Sequence, residues 1–249
     1  MTSVLITGAS SGIGAALALA YAAPGVRLAL CGRDAERLED TAVRCRAAGA
    51  DVACRVLCVT EASAVAAWVA DADAAAPLDV VIANAGISAG TGGGAETAEQ
   101  TRAIFAVNVD GVLNTVLPAV EALRARGRGQ IGIVASVAGF RGLPSAPAYC
   151  ASKAAVKAWG EGLRGWLAPQ GVGVSVILPG FVESRITAAN RFRMPLLMPA
   201  DRAACLIRRG LDRNVGRIAF PLPTVFVGWL MSVLPNAVVD RLTRGLPGK

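Results

Sequence analysis

Thr7-Gly8-Ala9-Ser10-Ser11-Gly12-Ile13-Gly14 follows directly on Ser3-Val4-Leu5-Ile6 and runs into the alanine-rich stretch 13–22. The apolar run reads as a buried strand and the alanine-rich stretch as a helix. Between them, glycines spaced Gly-x3-Gly-x-Gly let the chain turn tightly and bring its backbone close to a bound group. The helix that opens there offers unpaired N–H groups and the positive end of its dipole, which suits a pyrophosphate. Strand, glycine turn and helix in that order predict a dinucleotide crevice, with Gly8, Ser10, Ser11, Gly12, Ile13 and Gly14 around the phosphates.

Outward from this turn, 26–31, 52–57, 80–83, 130–136, 172–178 and 217–220 are further strand candidates. Segments of helical length separate them, at 35–47, 62–74, 97–107, 110–126 and 150–168. Near-continuous apolar strands alternating with helices predict a parallel sheet covered on both faces. Right-handed crossovers make it doubly wound. The expected fold is α/β: a single Rossmann-type domain over residues 1–220 with a seven-stranded parallel sheet. Residues 221–249 are expected to add a C-terminal helical tail that is not an independent domain. The glycine-rich stretch 90–94 reads as a loop.

Composition narrows the chemistry. With 54% hydrophobic and 17% charged residues in 249, a disordered or fibrous chain is excluded. There is no histidine. That excludes Ser-His-Asp and Cys-His hydrolysis and His-ligated metal sites, and no metal is expected. Proton transfer must use Tyr, Lys, Asp, Glu or Cys. The six cysteines form no CxxC pair and read as small buried hydrophobes in a reducing compartment. A strand starting at residue 3 leaves no room for a cleaved signal peptide, so a cytoplasmic location is expected. Residues 1–190 hold 15 basic and 15 acidic side chains, whereas 191–249 hold 10 and 3 and so carry the whole net charge of +7. No nucleic-acid partner is expected from a neutral body. An anionic surface or ligand met by one end fits better.

With Thr7, the glycine turn resembles the TGxxxGxG motif of the short-chain dehydrogenase/reductase family. The resemblance covers about residues 3–220. Asn84-Ala85-Gly86 follows the fourth strand, and Asn108 lies in the next long helical stretch. Ser136 ends the fifth strand, Tyr149-Cys150-Ala151-Ser152-Lys153 lies a dozen residues on, and Pro179-Gly180 follows the sixth. The resemblance implies an NAD(P)-dependent oxidoreductase with Asn108, Ser136, Tyr149 and Lys153 as catalytic residues. It also implies a homodimer or homotetramer joined through the helices holding Asn108 and Tyr149. Thr7, Asn84, Ala85, Gly86, Pro179, Gly180, Val182 and Ser184 are implied cofactor contacts, with Ser184 at the carboxamide.

The residues themselves suit that chemistry. Tyr149 and Lys153 are four apart and share a helix face. A free phenol titrates near 10, and a nearby cation lowers it. Tyr149 is therefore expected as general acid or base, with Lys153 as the cation. Ser136, at the carboxyl edge of the sheet, can hold the substrate oxygen. Asn108 is unfavourable inside a helix, so a local reason is expected. By resemblance it holds a water linking Lys153 to solvent. After the second strand, Gly32 stands where NAD-preferring relatives carry Asp, and Arg33 can pair with a 2′-phosphate. NADP(H) is therefore expected over NAD(H), and Asp34 reads as a helix cap. Cys58 occupies the slot where the family usually has an adenine-contacting Asp, so the Val59 backbone is expected to serve there.

Phe192, Met194, Leu196, Leu197 and Met198, with Ala138, Phe140, Leu143 and Pro144, suggest an apolar substrate pocket. The expected substrate is a small hydrophobic, lipid-like carbonyl or alcohol. Beyond it, 218–239 contains no charged residue, but Pro221, Pro223 and Pro235 leave only 224–234 as helix, too short to span a bilayer. Val225, Phe226, Trp229, Leu230, Val233 and Leu234 form one stripe flanked by Arg217, Arg241 and Arg244. Such a tail suits peripheral contact of 222–249 with the inner face of a membrane, or packing on the body or on a twin subunit. The alternative function is a non-catalytic dinucleotide-binding or membrane-docked interaction protein.

Overall fold

Seven runs rich in Val, Ile and Leu become strands in the computed structural model, which describes residues 2–89, 96–188 and 194–244. They are β1 (Thr2–Thr7), β2 (Val26–Gly32), β3 (Asp51–Val56), β4 (Val80–Ala83), β5 (Gly129–Val134), β6 (Val172–Pro179) and β7 (Arg217–Phe220). All pair in parallel, in the order β3-β2-β1-β4-β5-β6-β7. The chain order reverses between β1 and β4, so their carboxyl ends part and leave a crevice. The expected single α/β domain with a seven-stranded parallel sheet is what forms.

The helices are α1 (Gly12–Tyr21), α2 (Ala35–Ala47), α3 (Ala62–Ala75), α4 (Ala98–Phe105), α5 (Gly111–Arg126), α6 (Pro147–Leu167), α7 (Arg185–Ala188), α8 (Ala200–Asp212), α9 (Leu222–Val233) and α10 (Asn236–Thr243). Strand alternation sends Val4 and Ile6 to one face, where Leu17 of α1, Leu38 of α2 and Ile207 of α8 cover them. Leu5 goes to the other, beneath Val65 and Trp68 of α3. Val116 of α5 and Val156 of α6 cover that same side of β5 and β6.

Three local departures from the expected elements have physical causes. First, the helices expected at 97–107 and 110–126 are one continuous run, Ala98–Arg126, whose middle, Ala106–Asp110, is a single π-helical turn. That run is the one described helix long and apolar enough to cross a membrane. Half of its apolar window is buried in the fold, as suits a core helix. Second, β5 stops at Val134 because the Ser136 hydroxyl accepts the Ala138 N–H at 3.1 Å and caps a 3₁₀ turn, Val137–Phe140. Third, the tail makes two helices. Pro223 sits in the first turn of α9, where a missing N–H costs nothing, and Pro235 precedes α10. The side of α9 turned to the body is small: a Cβ on Gly228 would lie 3.0 Å from the Phe140 ring. Its large side chains, Leu222, Phe226, Val227, Trp229, Leu230 and Val233, are exposed.

Candidate active site

The glycine turn is wedged against the end of β4. The Thr7 hydroxyl accepts the N–H of Asn84 at 3.0 Å and of Ala85 at 3.2 Å, and Asn84 Nδ2 donates to the Thr7 carbonyl at 2.9 Å. Gly12 has φ +55°, in the left-handed region that favours glycine. A Cβ on Gly14 would lie 2.2 Å from the Gly8 carbonyl oxygen and 2.5 Å from Asn84 Nδ2. Gly14→Ala is therefore expected to destabilise the fold by about 1–3 kcal/mol through overpacking. Urea denaturation measures it, and an unchanged midpoint would contradict this close approach.

The crevice beside this turn has a volume of ≈1240 Å³. Gly8, Ser10, Ser11, Gly12 and Ile13 form its floor. Asn84, Ala85 and Gly86 form one wall, and Pro179, Gly180, Val182 and Ser184 the other. Ser136, Tyr149 and Lys153 line the same space, and so do Arg33, Cys58 and Val59. Thr7, Gly14 and Asn108 stand behind the surface and hold it in shape, rather than lining it as expected of Thr7 and Gly14. A Cβ on Gly12 would come 2.9 Å from Ser184 Cβ, so the segment after β6 closes onto the glycine turn.

At the reacting end, Lys153 is 3% exposed and donates from Nζ to the Val134 carbonyl at 2.8 Å. Burial lowers its pKa from 10.5 to about 8. Its Nζ lies 5.9 Å from the centre of the Tyr149 ring. Sequence reasoning expects this ammonium to make the phenol more acidic. Instead burial dominates and raises Tyr149 above its ordinary 10, while the hydrogen bond with Ser136 pulls the other way. Tyr149 keeps partial exposure through the crevice, and solvent there tempers the rise.

Asn108 is fully buried in the π-helical turn. Its Oδ1 accepts the Ile87 N–H at 2.8 Å, and its Nδ2 donates to the Ile87 carbonyl at 2.9 Å and to Ser152 Oγ at 3.0 Å. These bonds pin the wall after Gly86 to α6, the helix carrying Tyr149. The side-chain amide is thus spent on positioning. The extra residue of the π turn is the local reason for an Asn inside a helix.

At the far end, Asp34 caps α2 as expected. Its Oδ1 accepts the Arg37 N–H at 3.0 Å, and its Oδ2 pairs with Arg37 Nη2 at 2.7 Å. Arg37 also lines the crevice, and sequence reasoning missed it. Its spacing, four residues after Arg33 at the start of a helix, was the available signal. Cys58 Sγ lies 3.1 Å from Thr60 Oγ1, and the Val59 carbonyl accepts Asn114 Nδ2 at 2.9 Å, so that carbonyl is already committed.

The expected substrate pocket needs correction. Phe192 lies outside the described residues. Leu196 and Leu197 are exposed, and Met198 is buried in the core, because it pairs with Val182 as an isolated bridge. Phe140 packs under Gly228 of α9, and Lys157 Nζ lies 5.6 Å from its ring. Among the described residues, Ala138, Phe140, Leu143, Pro144, Met194, Leu196, Leu197 and Met198 do not line the crevice, whereas the apolar Ile87, Val107 and Ile186 do. Thr187 was also missed. It accepts the Ser184 N–H at 2.8 Å and donates to the Val182 carbonyl at 2.8 Å, fixing the segment that bears Ser184.

A family model described as short chain dehydrogenase matches residues 2–194. The chain is 40% identical over 243 residues to an uncharacterized oxidoreductase of Myxococcus xanthus (strain DK1622), covering 97% of this chain and 96% of the relative. Its structure is similar to a short chain dehydrogenase/reductase from Burkholderia phymatum in complex with NAD, with TM-score 0.85, 27% identity, and 100% and 96% of the two chains covered. It is also similar to a short-chain dehydrogenase from Sphingobium yanoikuyae in complex with NADPH, with TM-score 0.81, 29% identity, and 95% and 98% covered.

Proposed function

The chain belongs to the short chain dehydrogenase family, and from that premise we propose an NADP(H)-dependent oxidoreductase that interconverts a carbonyl and a secondary or primary alcohol on a small apolar, lipid-like substrate. The observation that carries this reading is the convergence of Ser136, Tyr149 and Lys153 at one end of a crevice floored by the glycine turn. The residues present fit a nicotinamide dinucleotide, because only glycine fits the close approach at Gly14 and the left-handed turn at Gly12.

In this reading the N–H groups of 10–13 receive the pyrophosphate, Cys58 and Val59 flank the adenine, and Asn84, Ala85 and Gly86 flank the ribose. Pro179, Gly180, Val182 and Ser184 hold the carboxamide end, with Lys153 and Tyr149 beside it. The bound nicotinamide would give or take the hydride. Ser136 orients the substrate oxygen. Tyr149 gives that oxygen a proton from Oη in reduction and takes it back in oxidation. Lys153, when protonated, opposes the rise that burial imposes on the phenol. The test is NADPH oxidation with a panel of apolar ketones and aldehydes. No turnover on any of them would overturn the reading.

Cofactor preference rests on Arg33 and on the state of Asp34. A carboxylate at this strand end would repel a 2′-phosphate. Here Asp34 is neutralised by Arg37 and committed to its helix, while Arg33 lines the crevice. Arg33→Ala is expected to raise the KM for NADP(H) about 10–100-fold, in line with a charged hydrogen bond, and the KM for NAD(H) less than about threefold. Equal effects on both cofactors would count against it.

Two further readings accompany this one. Cys31, Cys45, Cys54, Cys58 and Cys205 are free thiols, which supports a reducing, cytoplasmic compartment. Leu117 on α5 and Trp166 on α6 are half exposed, which supports a homodimer or homotetramer joined through those helices.

A further inference from the structure

α9 is amphipathic in the reverse sense for a helix lying on a protein body. Towards the body it turns Thr224, Val225, Gly228, Met231 and Ser232, three of them small or hydroxylated. Outward it turns only apolar side chains. Leu222 is 76% exposed, Phe226 60% and Trp229 48%, and Val227, Leu230 and Val233 complete the face. The Phe226 and Trp229 rings lie 5.9 Å apart, so the surface is continuous. Val238 and Leu242 of α10 are also exposed. Monomers rarely leave a contiguous apolar patch beyond a few hundred Å² without a use for it.

The chain that follows this face is basic. Arg241 of α10 and Arg244 just beyond it are exposed, and Arg141 holds α10 in place through Asn236 Oδ1 at 2.7 Å. Asp240 is the only acidic residue from 213 to 244. We propose that this face docks on an anionic lipid bilayer, with α9 lying in the plane of the interface and Arg241 and Arg244 at the headgroups. Twelve residues make about 18 Å of helix, which can lie in an interface but not span its apolar core of about 30 Å. A lipid surface asks for apolar area with cationic edges and no directional bonds. A second copy suits the face less well. A two-fold contact repeats the same surface, and a protein interface ordinarily carries a hydrogen bond every 100–200 Å². The outward side chains of α9 offer no donor or acceptor except the Trp229 indole N–H.

Docking there has a consequence for the reaction, which rests on the function proposed above. α9 packs on the turn Val137–Phe140 that begins at Ser136, and a Cβ on Gly180 would lie 3.4 Å from Thr224 Cγ2. The docked face therefore adjoins the reacting end of the crevice, on the side from which an apolar substrate would leave the lipid.

The test is co-sedimentation of the full chain with phosphatidylcholine vesicles, with and without phosphatidylglycerol. The chain is expected to bind the anionic vesicles about tenfold more than the neutral ones, less so as salt rises. Phe226→Glu should lower that binding at least about tenfold, and Arg241→Ala with Arg244→Ala should remove most of the anionic preference. Trp229 emission should be quenched by brominated lipid, and the quenching lost in Trp229→Phe. These side chains face outward, so Tm and turnover of a water-soluble carbonyl should stay at the wild-type level. Wild type that does not bind, or Phe226→Glu that binds as wild type does, overturns the proposal. So does a wild-type mass by light scattering that halves in Phe226→Glu, since the face then joins two copies. Vesicle binding is read without turnover, so an inactive chain that binds refutes the enzymatic reading alone, and an active chain that does not bind refutes docking alone.

Discussion

Tyr149→Phe is expected to lower kcat about 10²–10⁴-fold, the range for loss of a positioned general acid, while the Kd for NADPH changes little. The ring stays and only the hydroxyl is lost, so the packing around α6 is preserved. In the structure that hydroxyl bonds with Ser136, and the ammonium of Lys153 lies 5.9 Å from the ring. No histidine exists to substitute for it. Steady-state kinetics with the best apolar carbonyl, paired with a fluorescence titration of NADPH, separates chemistry from binding. Turnover at the wild-type level would place the proton donor elsewhere and remove the basis for the proposed mechanism.

Lys153→Met is expected to do two opposite things: lower kcat more than about 100-fold and stabilise the fold at neutral pH. Burial lowers this lysine from 10.5 to about 8. Below about pH 8 both the folded and the unfolded chain carry the charge, and the folded one bears the whole cost of burying it, at most about 3 kcal/mol. Between about 8 and 10.5 the unfolded chain binds a proton that the folded chain does not. The contribution of this group to stability therefore rises with pH across that window. Methionine of similar length removes the buried charge and also the bond to the Val134 carbonyl, worth about 1 kcal/mol. The net expectation at pH 7 is a gain of about 1–2 kcal/mol that fades as pH approaches 10.5. The buried thiols Cys31 and Cys45, raised to about 12 and about 11, act in the opposite direction above pH 9. They are present in both proteins and cancel in the difference. Urea denaturation of both at pH 7, 9 and 10 measures it, and a difference that does not move with pH would contradict the assignment.

The parts of the site that follow from local chain chemistry were readable in the sequence. The glycine turn, the alternation of strands and helices and the Tyr149–Lys153 pair each depend on neighbours within a few residues, and the turn and the pair meet at the crevice. What lay beyond reach depends on distant segments meeting. The bonds between Thr7 and Asn84 cross 77 positions, and the bond between Asn108 and Ser152 crosses 44. Arg37 lines the crevice while paired with Asp34. The apolar residues at 194–198 were assigned to a pocket by their type, but the bridge between Val182 and Met198 fixes which of them point inward. The tail stripe was visible as a period, and a period says which residues share a face without saying which way that face looks. Burial likewise raises the phenol where its neighbouring ammonium was expected to lower it, because desolvation depends on the whole surrounding fold.

The π-helical turn at Ala106–Asp110 counts residues as well as bending a helix. Every residue of an α-helix advances the chain by about 100° and 1.5 Å. The widened turn absorbs one residue beyond the regular repeat, and so sets the azimuth of α4 against that of α5. Removing a single residue there would let the ladder close regularly with α4 and α5 still in phase, while the residues inside the turn lose their widened placement and Asn108 its approach to Ile87. A substitution leaves the residue count unchanged; only an insertion or a deletion alters it. The site is thus guarded by chain length at this point, and a descendant that loses a codon there must rebuild the wall after Gly86 from other side chains.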